Sequence, residues 1–137
     1  MAYKLRITDE DVLICDGAVV VADVTLGKGL ASIGGAAFLD CKSLTAITLP
    51  DSVTVIGNSA FGRCDSLAKV MLGSCVEAID KSAFRACKNL TDITIPASVT
   101  AIGEFAFRDC PNLTIHAPAG SYAETYAKEN NIPFMAE

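Results

Sequence analysis

Six cysteines, a single histidine and one glycine-rich segment are the residues of this 137-residue chain whose types could do chemistry. A general base needs a nucleophile and an orienting partner within reach, and the sequence marks neither for His116. In Gly27-Lys28-Gly29 the lysine is not followed by serine or threonine, as a phosphate-binding loop requires. The sequence therefore predicts a protein that is not an enzyme and holds no cofactor, with His116 as an exposed residue near the chain's end.

The spacing of the cysteines argues against a disulfide framework and against a metal site. Four of them recur every 23 residues, namely Cys41, Cys64, Cys87 and Cys110. In stacked coils such residues form a line with a spacing of about 5 Å, whereas a disulfide needs Cβ atoms about 3.5–4.5 Å apart. Ligands spread along a line also cannot converge on tetrahedral zinc. We interpret them as small buried thiols and expect all six cysteines, including Cys15 and Cys75, to stay reduced.

The 23-residue interval is shared by three further columns, where a column means the residues at one position of successive repeats. A phenylalanine, an isoleucine and a leucine recur at fixed positions: Phe38, Phe61, Phe84 and Phe107; Ile33, Ile56, Ile79 and Ile102; Leu44, Leu67, Leu90 and Leu113. Four independent columns in one register predict a repeat architecture. A single coil could not bury its apolar side, but stacked coils share one continuous core.

Each repeat begins with a strand signature of the form L-x-x-I-x-L, as in Leu44-x-x-Ile47-x-Leu49. Alternation along the strand points Ile47 and Leu49 inward and Thr48 outward. This signature predicts a leucine-rich-repeat solenoid, a right-handed superhelix of mainly short parallel β-strands. We expect one domain over residues 1–137, with an N-terminal cap at 1–20, four repeats at 21–112, and a terminal repeat and helical cap at 113–137.

The remainder of each repeat predicts a second extended stretch and then a compact turn. Residues 53–56 are the extended stretch of one repeat. Gly57 and Gly103 follow this stretch in their repeats, where we expect a positive φ angle. The segment Ser59–Cys64 is too short for a stable α-helix and predicts a single helical or 3-10 turn.

Both ends of a stack expose apolar surface and need caps. At the N-terminus, residues 13–20 predict a β-hairpin around Asp16-Gly17. At the C-terminus, Ser121 and Glu124 have capping-box spacing and open a helix. Residues at i,i+4 spacing place one helix side over the last coil, and two asparagines end the helix. These helical residues are Tyr122, Ala123, Tyr126, Ala127, Asn130 and Asn131.

The repeated string resembles the BspA-like leucine-rich repeats of bacterial proteins. The resemblance is carried by residues 90–110, LTDITIPASVTAIGEFAFRDC, and by residues 111–123, which resemble that family's terminal repeat and cap. It covers about residues 21–134. The resemblance implies a surface or secreted protein involved in adhesion to host proteins or other cells, and it implies no shared catalytic residues.

Charge and hydropathy narrow the partners and leave the location open. The net charge of −5 argues against nucleic acid as a partner, and no apolar run approaches the roughly 20 residues that cross a bilayer. The N-terminus carries charges where an export signal needs an apolar stretch. The protein therefore either works inside the cell or has an export signal outside this sequence.

Charged residues cluster near the predicted turns and alternate in sign. The basic ones are Arg63, Arg85, Arg108, Lys42, Lys81 and Lys88, and the acidic ones are Asp40, Asp65, Asp109 and Glu104. Interleaved charges of both signs indicate a solvated surface.

The outward side of the repeat strands is the candidate partner-binding surface. Its residues are Asp23, Thr25, Ala46, Thr48, Lys69, Met71, Asp92, Thr94, Thr114 and His116. Lys69 and Met71 interrupt a pattern of small residues and threonines, although threonine suits any exposed strand. We expect a monomeric, non-catalytic module that binds a protein or peptide here. The alternatives are a structural spacer in a larger surface assembly and, third, an enzyme or metal protein.

Overall fold

The computed structural model of the chain describes residues 4–7, 12–16, 23–25 and 29–137. In these ranges the chain forms twelve short strands and one helix. The elements are β1 (Lys4–Ile7), β2 (Val12–Asp16), β3 (Asp23–Thr25), β4 (Ser32–Ile33), β5 (Ala46–Thr48), β6 (Val55–Ile56), β7 (Lys69–Met71), β8 (Ala78–Ile79), β9 (Asp92–Thr94), β10 (Ala101–Ile102), β11 (Thr114–Ala117), α1 (Tyr122–Glu129) and β12 (Phe134–Ala136).

The strands form two six-stranded sheets that run along the solenoid. We call the sheet β3-β5-β7-β9-β11-β12 the main sheet, and β1-β2-β4-β6-β8-β10 the second sheet. Each coil contributes one strand to each sheet, and neighbouring coils pair in parallel. The register matches the sequence repeat, since Ile47 pairs with Val70 and Val70 pairs with Ile93. The predicted leucine-rich-repeat solenoid is thus confirmed.

A phenylalanine ladder runs through the core between the two sheets. The ring centroids of Phe38, Phe61, Phe84 and Phe107 follow one another at 5.2, 5.1 and 5.4 Å. Successive ring planes lie within 6° of parallel, and the rings are almost completely buried. The coils therefore share one interior, with each ring covering the face of the ring before it.

The cysteine column forms a second ladder, in which thiols hydrogen-bond to backbone. The Sγ atoms of Cys64, Cys87 and Cys110 donate to the carbonyls of Phe38, Phe61 and Phe84, each at 3.1 Å. Burial raises the pKa of the Cys64 thiol to about 12 and that of Cys110 to about 11. These sulfurs therefore satisfy backbone acceptors of the neighbouring coil and are held as thiols rather than as reactive thiolates.

The compact turn after each strand of the second sheet is present, but it is not one continuous helical turn. In the coil of Ser59, i→i+3 hydrogen bonds join Ala60 to Gly57 and Gly62 to Ser59. Ser59 and Arg63 have φ angles of 57° and 58°, and a left-handed residue ends a helix. The alternate amides donate to the next coil instead, so the turns are stacked by their own hydrogen-bond ladder.

Gly57 and Gly103 do not have the positive φ angles that the sequence analysis expected. They are required by the close approach of neighbouring backbones. A Cβ atom on Gly57 would lie 2.7 Å from the carbonyl oxygen of Ile33, and one on Gly103 would lie 2.5 Å from the amide nitrogen of Lys81. The expectation was wrong because the constraint comes from the adjacent coil and not from the local turn.

The N-terminal hairpin that the structure describes is formed by β1 and β2, whereas the predicted turn at Asp16-Gly17 extends into residues outside the described ranges. β2 pairs antiparallel with β1, with Lys4 opposite Asp16, and its other edge pairs in parallel with β4. One edge of β2 is thus paired with β1 over residues 13–16, and the other is paired with β4 at Val12 and Leu13. Residues 17–22 lie outside the described ranges. The N-terminal hairpin exists, but it extends the second sheet with an earlier strand.

The C-terminal cap follows the sequence prediction. The Ser121 side chain accepts from the Glu124 amide at 3.3 Å, and the Glu124 carboxylate accepts from the Gly120 amide at 2.7 Å. Ala123 and Ala127 are buried, and Asn130 forms the C-cap. The Tyr126 ring meets Phe107 edge-on at 6.1 Å, which closes the phenylalanine ladder. In the described ranges, no helix is long and apolar enough to cross a membrane.

Candidate partner-binding surface

The predicted surface residues share the outward face of the main sheet. Residues paired in register from strand to strand form two rows. One row contains Asp23, Ala46, Lys69, Asp92 and Thr114. In the parallel row Thr25 pairs with Thr48 and Thr48 with Met71, while Thr94 pairs with His116. The rows flank a buried central residue in each described repeat strand, such as Val70. Alternation along three-residue strands therefore positions the whole face.

Lys69 and Met71 are the most distinctive residues of this face. The Met71 side chain is 51% exposed in the middle of the sheet. Lys69 is exposed and stands opposite Asp92, yet the ion pairs of the described residues leave Lys69 without a carboxylate. An uncompensated ammonium group beside an exposed apolar side chain is a feature that core packing does not explain.

His116 is not the exposed histidine that the sequence analysis expected. Its side chain is only 18% exposed and lies between two carboxylates. Nε2 is 2.8 Å from Asp92 Oδ1, and Nδ1 is 3.2 Å from Glu137 Oε2. The expectation was wrong because β12 adds a strand beyond β11 and brings Glu137 alongside the ring. His116 thus links three neighbouring strands across the face.

The pKa of the Asp92 carboxyl group reports on its contact with His116. The hydrogen bond from His116 lowers the pKa of Asp92 below its ordinary value of 3.8. Because the folded state has the lower pKa, the contact contributes its full stabilisation at pH values above the unfolded-state pKa. That stabilisation is lost as the pH falls through the folded-state pKa. We expect His116→Ala to raise the Asp92 pKa, measured by carboxyl-carbon NMR titration, while Asp51, held by Ser74, keeps its lowered pKa. An unchanged Asp92 pKa would contradict the contact.

Two residues of this face were missed by sequence reasoning. Met135 pairs with His116 in the backbone register and is 57% exposed, and Glu137 reaches the His116 ring. The sequence analysis assigned these residues to the terminal repeat and helical cap and predicted no strand for them. The alternation of Phe134, Met135 and Ala136 was the one available signal, and it is too short to predict pairing with β11.

The turn surface on another side carries the expected charges of both signs, but not all of them are paired. Lys42 lies 3.0 Å from Asp65 and 3.5 Å from Asp40, and Arg63 lies 3.2 Å from Asp40. The guanidinium carbons of Arg85 and Arg108 lie over the exposed Phe105 ring instead, at 5.9 and 4.9 Å from its centroid. The charges at the N-terminal side of this surface therefore form ion pairs, whereas Arg85 and Arg108 at its C-terminal side lie against an aromatic ring.

Neither arrangement holds a metal-ligand set. Across residues 29–137 and the three described N-terminal strands, no group of three histidine, cysteine or acidic side chains is placed to bind a metal ion. The geometry of the main-sheet face, a flat row of strands with exposed side chains, suits contact with another macromolecule.

Comparison with known proteins agrees with this architecture. The family model for the BspA-type leucine-rich repeat region matches residues 18–129 in six copies. That match spans most of the chain. This chain belongs to the BspA-type leucine-rich repeat family.

Solved structures of bacterial leucine-rich repeat proteins share the fold of this BspA-type protein. A T. pallidum leucine-rich repeat protein is 28% identical with a TM-score of 0.60, covering 83% of this chain and 68% of its own. One from Bacteroides ovatus is 30% identical with a TM-score of 0.69, covering 85% and 36%. A leucine-rich cell surface protein from Faecalibacterium prausnitzii is 23% identical with a TM-score of 0.75, covering 98% and 38%.

This chain corresponds to only part of two of these solved proteins. The BspA-type chain spans little more than a third of the B. ovatus and F. prausnitzii proteins. No curated protein sequence matches it. The comparisons thus show a repeat family that serves as an interaction or structural module, and the similar structures are leucine-rich repeat proteins.

Proposed function

We propose that this BspA-type repeat protein is a non-catalytic, monomeric module that binds a protein or peptide across the outward face of its main sheet. The observation that supports this most concerns two residues of β7. Met71 is exposed at the centre of the face, and Lys69 on the same strand forms no ion pair among the described residues. Apolar surface rimmed by polar residues marks interaction sites, and Met71 beside Lys69 offers an exposed apolar side chain with a charge at its side. Solenoids commonly present such extended sheet surfaces to partners.

The side chains of the face indicate the chemistry of the partner. Met71 and Met135 offer two flexible apolar contacts, and Lys69 offers a cation without a carboxylate. The Asp92 and Glu137 carboxylates each contact His116, whereas Lys69 has no such contact within the described ranges and is a cation available to the partner. The partner surface therefore combines apolar side chains with a carboxylate. An adhesive role follows if this partner belongs to another cell or host surface; the F. prausnitzii protein, which shares the fold, is a cell surface protein.

Site-specific photocrosslinking tests the proposal. A photoreactive amino acid is placed at Met71, and a matched one at Glu77, which is exposed next to β8 of the second sheet. Each protein is then mixed with intact cells, or with secreted proteins, from the environment in which the source organism lives, and the mixture is irradiated. We expect one saturable adduct from position 71 that is absent from position 77 and that Lys69→Glu reduces at least about tenfold, because the charge reversal repels the partner's carboxylate.

The structural-spacer alternative predicts the opposite result. A spacer gives no saturable adduct at either position, and Lys69→Glu changes nothing. Identical adducts from positions 71 and 77 would also contradict binding by the main-sheet face, since those residues lie on different sheets.

A further inference from the structure

The last turn of the solenoid has backbone donors that its cap does not satisfy. In the preceding coil, the amides of Ser82, Phe84 and Ala86 donate to carbonyls of the next coil at 3.0, 2.8 and 2.7 Å. Each earlier described turn has the same three bonds. The equivalent donors of the last turn are the amides at positions 105, 107 and 109. They face the C-terminal cap instead of another coil.

The cap supplies an acceptor for only the middle one of these donors. The Phe107 amide hydrogen-bonds to the phenolic oxygen of Tyr126, a contact that opposes the rise in the Tyr126 pKa caused by burial. Within the described ranges, no protein acceptor meets the amides of Phe105 and Asp109. Two backbone N–H groups, four residues apart, therefore remain for another acceptor.

These donors border a cleft of about 500 Å³ between the last turn and the cap. Its apolar lining includes Phe107, Leu113, Tyr126 and Ile132. The cleft exists because α1 covers the strands and the phenylalanine ladder of the last coil but not its whole turn. It lies where the turn of a further coil would stack.

An unusual aromatic residue stands at the rim of the cleft. The preceding turns have Ala36, Ser59 and Ser82 at this position, with φ angles of 57°, 57° and 58°, whereas the last turn places Phe105 there, 40% exposed, at a φ angle of 60°. Bulky side chains rarely occupy this left-handed region, and doing so costs about 1–3 kcal/mol. An exposed aromatic in such a conformation needs a reason other than burial.

The same rim carries positive charge without paired carboxylates. Arg108 lines the cleft, and Arg85, which is not part of the lining, lies over the same Phe105 ring. In the described part of the chain neither guanidinium forms an ion pair. Asp109 is the one acidic side chain among the residues that line the cleft. Glu104 beside Phe105 is acidic and exposed as well, but within the described ranges neither carboxylate is paired with Arg85 or Arg108, so both guanidinium groups remain available to a carboxylate of a partner.

From these observations we infer that the cleft binds an extended, acidic segment of a partner protein. The segment's backbone carbonyls accept from the amides of Phe105 and Asp109, as the next coil's carbonyls do in every earlier turn. Its carboxylate pairs with Arg108 and Arg85, and an apolar side chain contacts Phe105. This site is separate from the main-sheet face, so it neither requires nor supports the function proposed above.

A peptide made from the protein's own turn is the probe with the best-defined geometry. The fluorescein-labelled nonapeptide has the sequence of residues 103–111 with the substitutions Arg108→Glu and Cys110→Ser. Residues of one column lie about 5 Å apart in successive coils, so the peptide's glutamate would face Arg108 of the protein. A second peptide has Cys110→Ser alone and keeps the arginine. Binding is measured by fluorescence anisotropy with the full chain.

We expect saturable binding of the glutamate peptide to the wild-type protein. The variant Arg108→Glu should weaken it at least about tenfold and should now prefer the arginine peptide, because like charges repel across a contact. The matched control Arg63→Glu changes an arginine of an earlier turn, which lies outside the cleft and pairs with Asp40, and it should leave the affinity unchanged. Circular dichroism verifies that each variant is folded.

Three results would overturn the inference. The first is no saturable binding at millimolar peptide, and the second is equal affinity of the wild type and the Arg108→Glu variant. The third is a dimer in sedimentation velocity that disappears with Arg108→Glu, since the occupant would then be a second copy of this chain. A failure of the crosslinking experiment at Met71 affects none of these readouts.

Discussion

Replacing Phe84 with alanine should lower the free energy of unfolding by about 3–5 kcal/mol. Phe84 is completely buried and its ring lies between those of Phe61 and Phe107, at 5.1 and 5.4 Å. Removing the ring opens a cavity at the middle of the ladder and takes a packing partner from both neighbours. In a repeat stack the coupling between adjacent coils carries much of the stability, so the loss affects both sides of the coil that contains Phe84.

Urea denaturation followed by circular dichroism measures this effect. The matched control is Phe105→Ala, which removes the same side chain from an exposed position with a positive φ angle. We expect that control to change the free energy of unfolding by less than about 1 kcal/mol. Equal losses from the two variants would mean that the ladder does not hold neighbouring coils together.

Replacing Gly103 with alanine should destabilise the fold by about 3 kcal/mol, the upper part of the range for an overpacked site. The added Cβ would lie 2.5 Å from the amide nitrogen of Lys81 and 2.8 Å from its Cα. Both are backbone atoms of the preceding coil, so the clash cannot be relieved by a side-chain rotation. Two coils would have to separate locally, which would weaken the Gly103 amide's hydrogen bond to the Ile79 carbonyl.

Gly35 provides the matched control for this substitution. A Cβ on Gly35 would have its nearest contact at 3.5 Å, from the Asn58 carbonyl oxygen. Gly35→Ala should therefore be neutral or should stabilise the fold by about 0.4–1 kcal/mol, because alanine restricts the unfolded chain. The two variants are compared by the same urea titration. A neutral Gly103→Ala would contradict the close approach of the coils.

The repeat architecture could be predicted because it is written in residue types at fixed intervals. The Phe38, Phe61, Phe84 and Phe107 column predicts the stacked rings, and alternation around Ile47 predicts which strand residues face outward. The C-terminal helix could be predicted for a similar reason, since Ser121 and Glu124 interact within one turn. In each case a local or periodic pattern specifies the contact.

The errors concern contacts between segments that no interval connects. The antiparallel partner of β2 is β1. The sequence analysis did not predict this strand, because it assigned the hairpin to the Asp16-Gly17 turn. The close backbone approach at Gly57 comes from the neighbouring coil, and a turn-based explanation could not detect it. The environment of His116 depends on β12, whose pairing brings Glu137 to the ring. The candidate face was identified in outline, but these neighbours were not.

The amino-acid sequence alone determined the solenoid and its shared aliphatic and aromatic core, because burial of a repeated pattern has one solution, the stacking of coils in register. It also determined which strand residues face solvent, through the two-residue period of a strand. Only the tertiary structure decided which charges are neutralised and where the backbone ladder ends without acceptors. Those properties depend on distances of a few ångströms between separate segments, and a one-dimensional pattern does not encode such distances.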